Sequence, residues 1–345
     1  MITEQQTRPV LEINGLRLVF PVYGGEISAL NNVSLRVNAG EIVGVVGESG
    51  SGKSVTAMMA MRLLPDDSFM IKSGTLRLLG TDVINASDKQ MRTLRGARVA
   101  MIFQEPMNAL NPTRKIGRQM CEVIRLHQKI SQKEAGKKAQ NLLEEMQIGD
   151  AAQVMQRYPF ELSGGMRQRV LIAMAFSCEP ELIIADEPTT ALDVTVQRQV
   201  LRLLRRKARS SGTAVLFITH DMAVVSQLCD RVYVMYAGNV IESGATDEVI
   251  AHPAHPYSIG LMQAAPENGE PRSELKAIAG TVPNLAKLPT GCAFRGRCTH
   301  GDAQCQQTPV LSSLPVESLY IHSQQQVACW HPQRETTEMT QEPPR

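Results

Sequence analysis

The chain has no long hydrophobic run. Its longest, "VLIAMAFSC" from Val170 to Cys178, is about half of what crosses a bilayer, so no spanning helix is expected. The opening "MITEQQTRPVLEING" is polar and carries no apolar stretch of the kind a signal peptide needs. Neither sign of charge is in excess, with 36 Lys plus Arg against 34 Asp plus Glu. Bulk charge therefore gives no support to a nucleic-acid partner. No motif occurs twice, which excludes an internal duplication. Cysteine is scarce before Gly291: only Cys121, Cys178 and Cys229, in apolar helical contexts that read as small buried hydrophobes. What remains is ordinary for a globular protein of the cytosol or the inner face of a membrane. Apolar residues are 43% and charged residues 20% of 345 positions, enough for two or three domains with a sizeable core.

Periodicity places strands at Val10 to Phe20, "EIVGVVG", "RVAMIFQ", "ELIIADEP", "TAVLFITH" and "DRVYVMYAG". Helices are expected at "KSVTAMMAMRLL" and at "VTVQRQVLRLLRRKARSSG", the latter closed by glycine. Buried strands alternating with helices predict an α/β sheet. The helical text from about Ile116 to Tyr158 breaks that alternation and reads as an inserted subdomain. A boundary is expected near Ala265 to Pro271, beyond which Pro, Gly and short polar runs dominate.

Three motifs carry chemistry. "GESGSGKS", Gly47 to Ser54, lies between a strand and a helix and matches a phosphate-binding loop. Gly50 and Gly52 let the backbone turn its N–H groups toward phosphate oxygens, and the helix N-terminus adds a positive dipole end. Lys53 can reach the β- and γ-phosphates, and the Ser54 hydroxyl can hold Mg²⁺. "LIIADEP" ends a buried strand in Asp186 and Glu187; one carboxylate suits the metal's water shell and the next can polarise an attacking water. "LSGGMRQR", Leu162 to Arg169, opens a second anion-binding helix N-terminus. One nucleotide does not need two such sites, so this one is expected to serve a nucleotide held by another protomer.

In this order the motifs resemble those of an ATP-binding cassette (ABC) ATPase, over roughly Val10 to Gly244. The resemblance implies a P-loop fold with a RecA-like core, an antiparallel β subdomain and an inserted helical subdomain at about 112–178, all within 1–265. It implies that Gly47, Ser49, Gly50, Ser51, Gly52, Lys53, Ser54 and Val55 line the phosphates of ATP. Ser54, Gln104 and Asp186 would hold Mg²⁺, Glu187 would be the general base, and His220 would contact the γ-phosphate. Gln104, in "MIFQEPMNALNP", would also sense the membrane partner. Ser163, Gly164, Gly165 and the D-loop's Asp193 would close over ATP on the opposite subunit. Phe20, with Tyr23 as runner-up, would stack on adenine. Repair cassettes carry long coiled coils between the first two motifs, and no sustained heptads occur between Ser54 and Ser163. Translation-type cassettes fuse two ATPase units, and this chain has one. A transporter motor is thus expected over a soluble ATPase acting on nucleic acid or ribosomes, or a redox sensor.

"NALNPTRKIGRQM", "IESGATDEVIAHPAHPYSIGLM" and the tail resemble the oligopeptide/dipeptide/nickel importer ATPases, most closely the dipeptide type. That likeness implies two permease subunits, a second ATPase in a heterodimer, a periplasmic binding protein, no nucleic acid, and a peripheral place on the cytoplasmic face of the inner membrane. His252 and His255 allow a metal reading, but Pro-rich spacing favours a turn into a helix.

The tail, 266–332, crowds thiols as C-x₅-C-x₆-C-x₂₃-C: Cys292, Cys298, Cys305 and Cys329. Disulfides do not suit a reducing compartment. Four thiolates suit zinc or an iron–sulfur cluster, and His300, His322 or His331 could replace a ligand of zinc. The residues alone leave that choice open; the importer resemblance implies a [4Fe–4S] cluster, with Zn²⁺ the alternative. Cys298→Ser is expected to bleach the cluster and loosen the tail without directly altering the phosphate loop, and 333–345 is expected to be disordered.

Overall fold

The computed structural model describes residues 8–104, 109–190, 192–264, 278–314 and 324–333. The boundary expected at Ala265 to Pro271, His322, and all of the terminal segment after Gln333 lie outside the described residues.

The strands are β1 (Pro9–Val22), β2 (Gly25–Asn38), β3 (Ile42–Val46), β4 (Met70–Leu78), β5 (Thr81–Asp82), β6 (Val99–Ile102), β7 (Leu182–Asp186), β8 (Ala214–Thr219), β9 (Arg231–Tyr236), β10 (Asn239–Ala245), β11 (Ser312–Ser313) and β12 (Gln326–Val327). They form two sheets. One is antiparallel, in the order β2-β1-β4-β5. The other runs β11-β12-β10-β9-β3-β8-β7-β6, with β9, β3, β8, β7 and β6 parallel to one another and the rest added antiparallel.

The parallel strands are buried on both faces, so they read as unbroken apolar runs. Successive residues nonetheless serve different cores, because side chains alternate across a strand. Val43, Val45, Ile184, Leu216 and Ile218 face the antiparallel sheet and the helix Lys53–Ala60. Ile42, Val46, Ile183, Ala185, Val215 and Phe217 face the opposite layer of helices. That second layer includes the inserted subdomain: helices Ile116–His127, Gln132–Glu145 and Ala151–Val154, then Gly164–Phe176 leading back to β7. Ser131 and Glu134 close a reciprocal capping box at the start of Gln132–Glu145. Gly212, at φ 66°, ends the helix Val194–Ser211 as the sequence suggests.

The tail is tied to the larger sheet. β12 pairs with β10 through Glu242↔Val327 and Ser243↔Gln326. The buried Glu242 carboxylate accepts from the Ala254 and His255 N–H groups and from Gln325 Nε2 (2.7, 3.0 and 2.6 Å). In "HPAHPYSIGLM", His255 Nδ1 accepts from the Tyr257 N–H (3.0 Å) and caps the helix Pro256–Gln263. This is the turn-into-helix reading of that motif. Burial pushes the His255 imidazole down to about 3.

Candidate nucleotide site and cysteine cluster

The phosphate loop leaves the carboxyl end of β3 between β9 and β8, where ligands gather in open α/β sheets. Two of its glycines are sterically required. A Cβ at Gly47 (φ +156°) would lie 2.1 Å from the Met235 carbonyl oxygen, and one at Gly52 (φ +99°) 2.8 Å from that of Ala29. Lys53 is folded into the loop. Its Nζ donates to the carbonyls of Gly47 (2.7 Å) and Glu48 (2.9 Å). Burial depresses the Lys53 ammonium below the ordinary lysine range, opposed by the charges of Glu187, Asp186 and Glu48. Ser54 Oγ donates to Asp186 Oδ1 (3.1 Å), joining the helix start to the end of β7. Burial pushes the Asp186 carboxyl up, while the Ser54 bond and Lys53 pull it down. The hydroxyl, the carboxylate and the ammonium thus converge as a donor set suited to a Mg²⁺-bound polyphosphate.

Glu187 sits one residue past β7 in the left-handed region, φ 44°, a conformation that costs a non-glycine residue about 1–3 kcal/mol. Its N–H donates to Ile218 O (2.9 Å), which anchors the turn to β8. Three side chains meet its Oε2: Gln104 Nε2 at 3.2 Å, Thr190 Oγ1 at 3.1 Å and His220 Nδ1 at 3.3 Å. Gln104, Glu187 and His220 come from distant parts of the sequence and are brought together as the motifs suggest. Thr190 is a member that the sequence reading missed, although it lies three residues before Asp193 in "TTALD".

Ser163 caps Gly164–Phe176, its side chain accepting from the Met166 N–H (3.3 Å). Asp193 caps Val194–Ser211 through the Val196 N–H (2.9 Å). The two caps are neighbours, since a Cβ at Gly165 would fall 2.5 Å from Val196 Cγ1. Arg167 and Arg169 bond to Pro159, Gln147 and Gln199. Among the described residues no hydrogen bond or ion pair links 163–169 to 47–54. Phe20 lies opposite Ile27 in the β1–β2 pair and packs half-buried on the core of the antiparallel sheet. Tyr23 stands fully exposed at the turn.

Residues beyond β10 reach the phosphate loop. The Glu48 N–H donates to the buried Tyr257 hydroxyl (2.8 Å). Arg297 forks onto the Glu48 carboxylate at 2.6 and 3.1 Å.

The four tail thiols are close enough to perturb one another. Cys292, Cys298 and Cys329 are all pushed up, by burial first, and Cys329 reaches about 11. Backbone N–H groups point at three of the sulfurs: those of Phe294 and Arg295 at Cys292, of His300 at Cys298 and of His331 at Cys329. Such N–H···S donors favour metal-bound thiolates. Among the described residues, only Asp302, Cys305 and His331 form a group of three potential metal ligands within 4.8 Å of one another. Of the other cysteines, Cys121 and Cys229 are buried and Cys178 is half-buried.

Comparisons with known proteins agree with this geometry. Residues 30–190 match the family "ABC transporter", and 241–305 match "Oligopeptide/dipeptide transporter, C-terminal region". The chain is 68% identical over 329 residues, 95% of its length and 98% of the relative's, to the probable D,D-dipeptide transport ATP-binding protein DdpD of Escherichia coli. It is 45% identical over 309 residues, 90% of its length and 92% of the relative's, to the oligopeptide transport ATP-binding protein OppD of Salmonella typhimurium. Among solved structures, the ATP-binding cassette MJ0796, in a dimeric post-hydrolysis state bound to ADP and Pi, superposes with a TM-score of 0.61. That match has 25% identity and covers 68% of this chain and 98% of the other. The cbiO1 protein of Clostridium perfringens gives 0.60, at 26% identity, over 71% and 91% of the two chains. The chain belongs to the ATP-binding proteins of the ABC transporter family, and it is an ATPase with that family's α/β P-loop fold.

Proposed function

We propose that the chain is the ATP-hydrolysing motor of a bacterial dipeptide importer, with D,D-dipeptides as the substrate class. The observation that carries this reading is the 68% identity to DdpD along almost the whole length of both chains. The same likeness, with the oligopeptide/dipeptide match at 241–305, disfavours an ATPase of nucleic acid or ribosomes. Among the described residues no helix is long and apolar enough to cross a membrane. The motor would work against two permease subunits on the cytoplasmic face of the inner membrane, fed by a periplasmic binding protein. The groove lined by Arg114, Arg118, Glu122, Arg125, Leu126 and Gln132 suits a permease loop, because Leu126 is an exposed apolar residue in a charged rim.

On binding ATP, Lys53 exchanges its two carbonyl partners for phosphate oxygens. The N–H groups of Gly47 to Val55 and the dipole of Lys53–Ala60 complete the cradle. Ser54, Asp186 and Gln104 would hold Mg²⁺, which supplies neutralising charge to the phosphates. Glu187 takes a proton from the attacking water, oriented by Gln104, Thr190 and His220. His220 then lies where the γ-phosphate leaves. Phe20 or Tyr23 stacks on adenine. Ser163, Gly164, Gly165 and Asp193 act across a head-to-tail dimer with a second, non-identical ATPase. In support, no hydrogen bond or ion pair among the described residues links them to their own subunit's phosphate loop.

Cys292, Cys298, Cys305 and Cys329 would hold a [4Fe–4S] cluster with a structural role. Its support is the backbone N–H groups aimed at three of the sulfurs. One observation favours a second reading, a single zinc on Asp302, Cys305 and His331, which lie within 4.8 Å. Oxygen-free purification separates the two: four irons per chain and a brown colour for the cluster, one zinc and no colour for the alternative. The transport reading is tested in proteoliposomes holding the permeases, both ATPases and the binding protein. A D,D-dipeptide should stimulate phosphate release and accumulate inside; release indifferent to any dipeptide would overturn it.

A further inference from the structure

We infer that Arg297 is a positioning residue of the ATPase: from within the cysteine-rich tail it neutralises Glu48 of the phosphate loop and so sets the affinity for ATP. The inference rests on the assignment of that loop as the ATP site.

Glu48 is the second residue of "GESGSGKS", between Gly47 and the residues that face the phosphates. A free carboxylate there would repel the polyphosphate and compete for Lys53. Within the loop Lys53 offsets it only through space, since its Nζ bonds to the Glu48 carbonyl rather than to the carboxylate. Arg297 does so from 249 residues away, with Nη1 donating to Oε2 at 2.6 Å and Nη2 to Oε1 at 3.1 Å. This is the bidentate geometry in which an arginine–carboxylate pair is strongest.

The guanidinium is fixed in place. Its side chain is 6% exposed against 31% for Glu48, and it donates also to the carbonyls of Ala279 (2.8 Å) and Ile278 (3.2 Å). It lies 5.8 Å over both the Tyr236 and the Phe294 rings. Phe294 in turn packs edge-on against Tyr236 and Tyr257. Tyr257 then takes the Glu48 N–H, so both the backbone and the side chain of Glu48 are held by residues beyond β10. The Glu48 contact is also the largest cause holding the Arg297 guanidinium above its usual range. Arg297 immediately precedes Cys298, so its position depends on how the tail folds.

The test is ATP affinity and turnover of the assembled complex carrying Arg297→Ala, Glu48→Gln or both, with unfolding curves as a check on the fold. Arg297→Ala should weaken ATP binding about ten-fold, equal to about 1.4 kcal/mol, while turnover at saturating ATP changes less than about three-fold. Adding Glu48→Gln should restore most of the affinity, because the charge Arg297 offsets is then gone. A purely structural arginine would not be rescued by that second change. Unaltered affinity in Arg297→Ala, or loss that Glu48→Gln leaves in place, would overturn the inference. Wild-type complex that binds no ATP would instead defeat the ATPase assignment.

Discussion

Replacing Gly165 by alanine separates two opposed expectations. Gly165 is the second residue of the helix Gly164–Phe176. Intrinsic propensity alone makes alanine better there by up to about 1 kcal/mol. Packing says the reverse, because the new Cβ would lie 2.5 Å from Val196 Cγ1. That atom belongs to a β-branched side chain with restricted rotamers, on the helix capped by Asp193. Overpacking of this kind costs about 1–3 kcal/mol, so the net loss should be about 0–2 kcal/mol. Val196→Ala in the Gly165→Ala background should return the lost stability and leave the propensity gain. The assay is urea unfolding of the four proteins of the cycle, with the Gly165–Val196 coupling expected at about 1–3 kcal/mol. ATPase activity of the complex should fall with Gly165→Ala and recover in the double variant, since the helix Gly164–Phe176 is pushed off its seat and then reseated. Stabilisation by Gly165→Ala with coupling below about 0.5 kcal/mol would refute the contact.

Two further predictions concern a proton and a ring. His255 is held near 3 in the folded chain and titrates near 6.5 when unfolded, so between those values only the unfolded state binds its proton. Stability should therefore fall as pH drops below about 6.5, by about 1.4 kcal/mol per pH unit from this residue. His255→Asn, which keeps a capping side chain, should show a correspondingly shallower slope in pH-dependent unfolding; an identical slope would remove His255 as its source. For adenine, Phe20→Ala should weaken both ATP binding and the fold, because Phe20 packs on the core. Tyr23→Ala should leave stability unchanged, and a large loss of ATP affinity there would move the stacking role to Tyr23.

Much of this was readable in the sequence because the physics was local. β3, β7 and β8 are buried on both faces, so "IVGVV", "LIIAD" and "AVLFIT" stand out as unbroken apolar runs. The phosphate loop, the acid pair and the signature octet each carry their geometry in a few adjacent residues. β2 and β4 were missed for the opposite reason. Each has one exposed face, β2 is interrupted at Asn31–Asn32, and β4 carries Gly74 in its interior. Gly74 is there because β1 crosses it so closely that a Cβ would meet the Gly15 carbonyl oxygen at 2.5 Å. β11 and β12, two residues each, have no period to read. Arg297 was invisible for a different reason: its partner Glu48 is 249 residues away, and a lone arginine in a cysteine-rich tail carries no signal of that contact.

In the proposed mechanism Glu187, gathered with Gln104, Thr190 and His220 at the end of β7, activates the water that cleaves ATP. Glu187→Gln keeps the shape of the side chain and an oxygen for these contacts but removes the base. Steady-state phosphate release by the assembled complex, read beside equilibrium ATP binding, tests this most directly. The expected result is unchanged ATP affinity with turnover reduced by about 10²–10⁴-fold. Turnover near that of the wild type would contradict it.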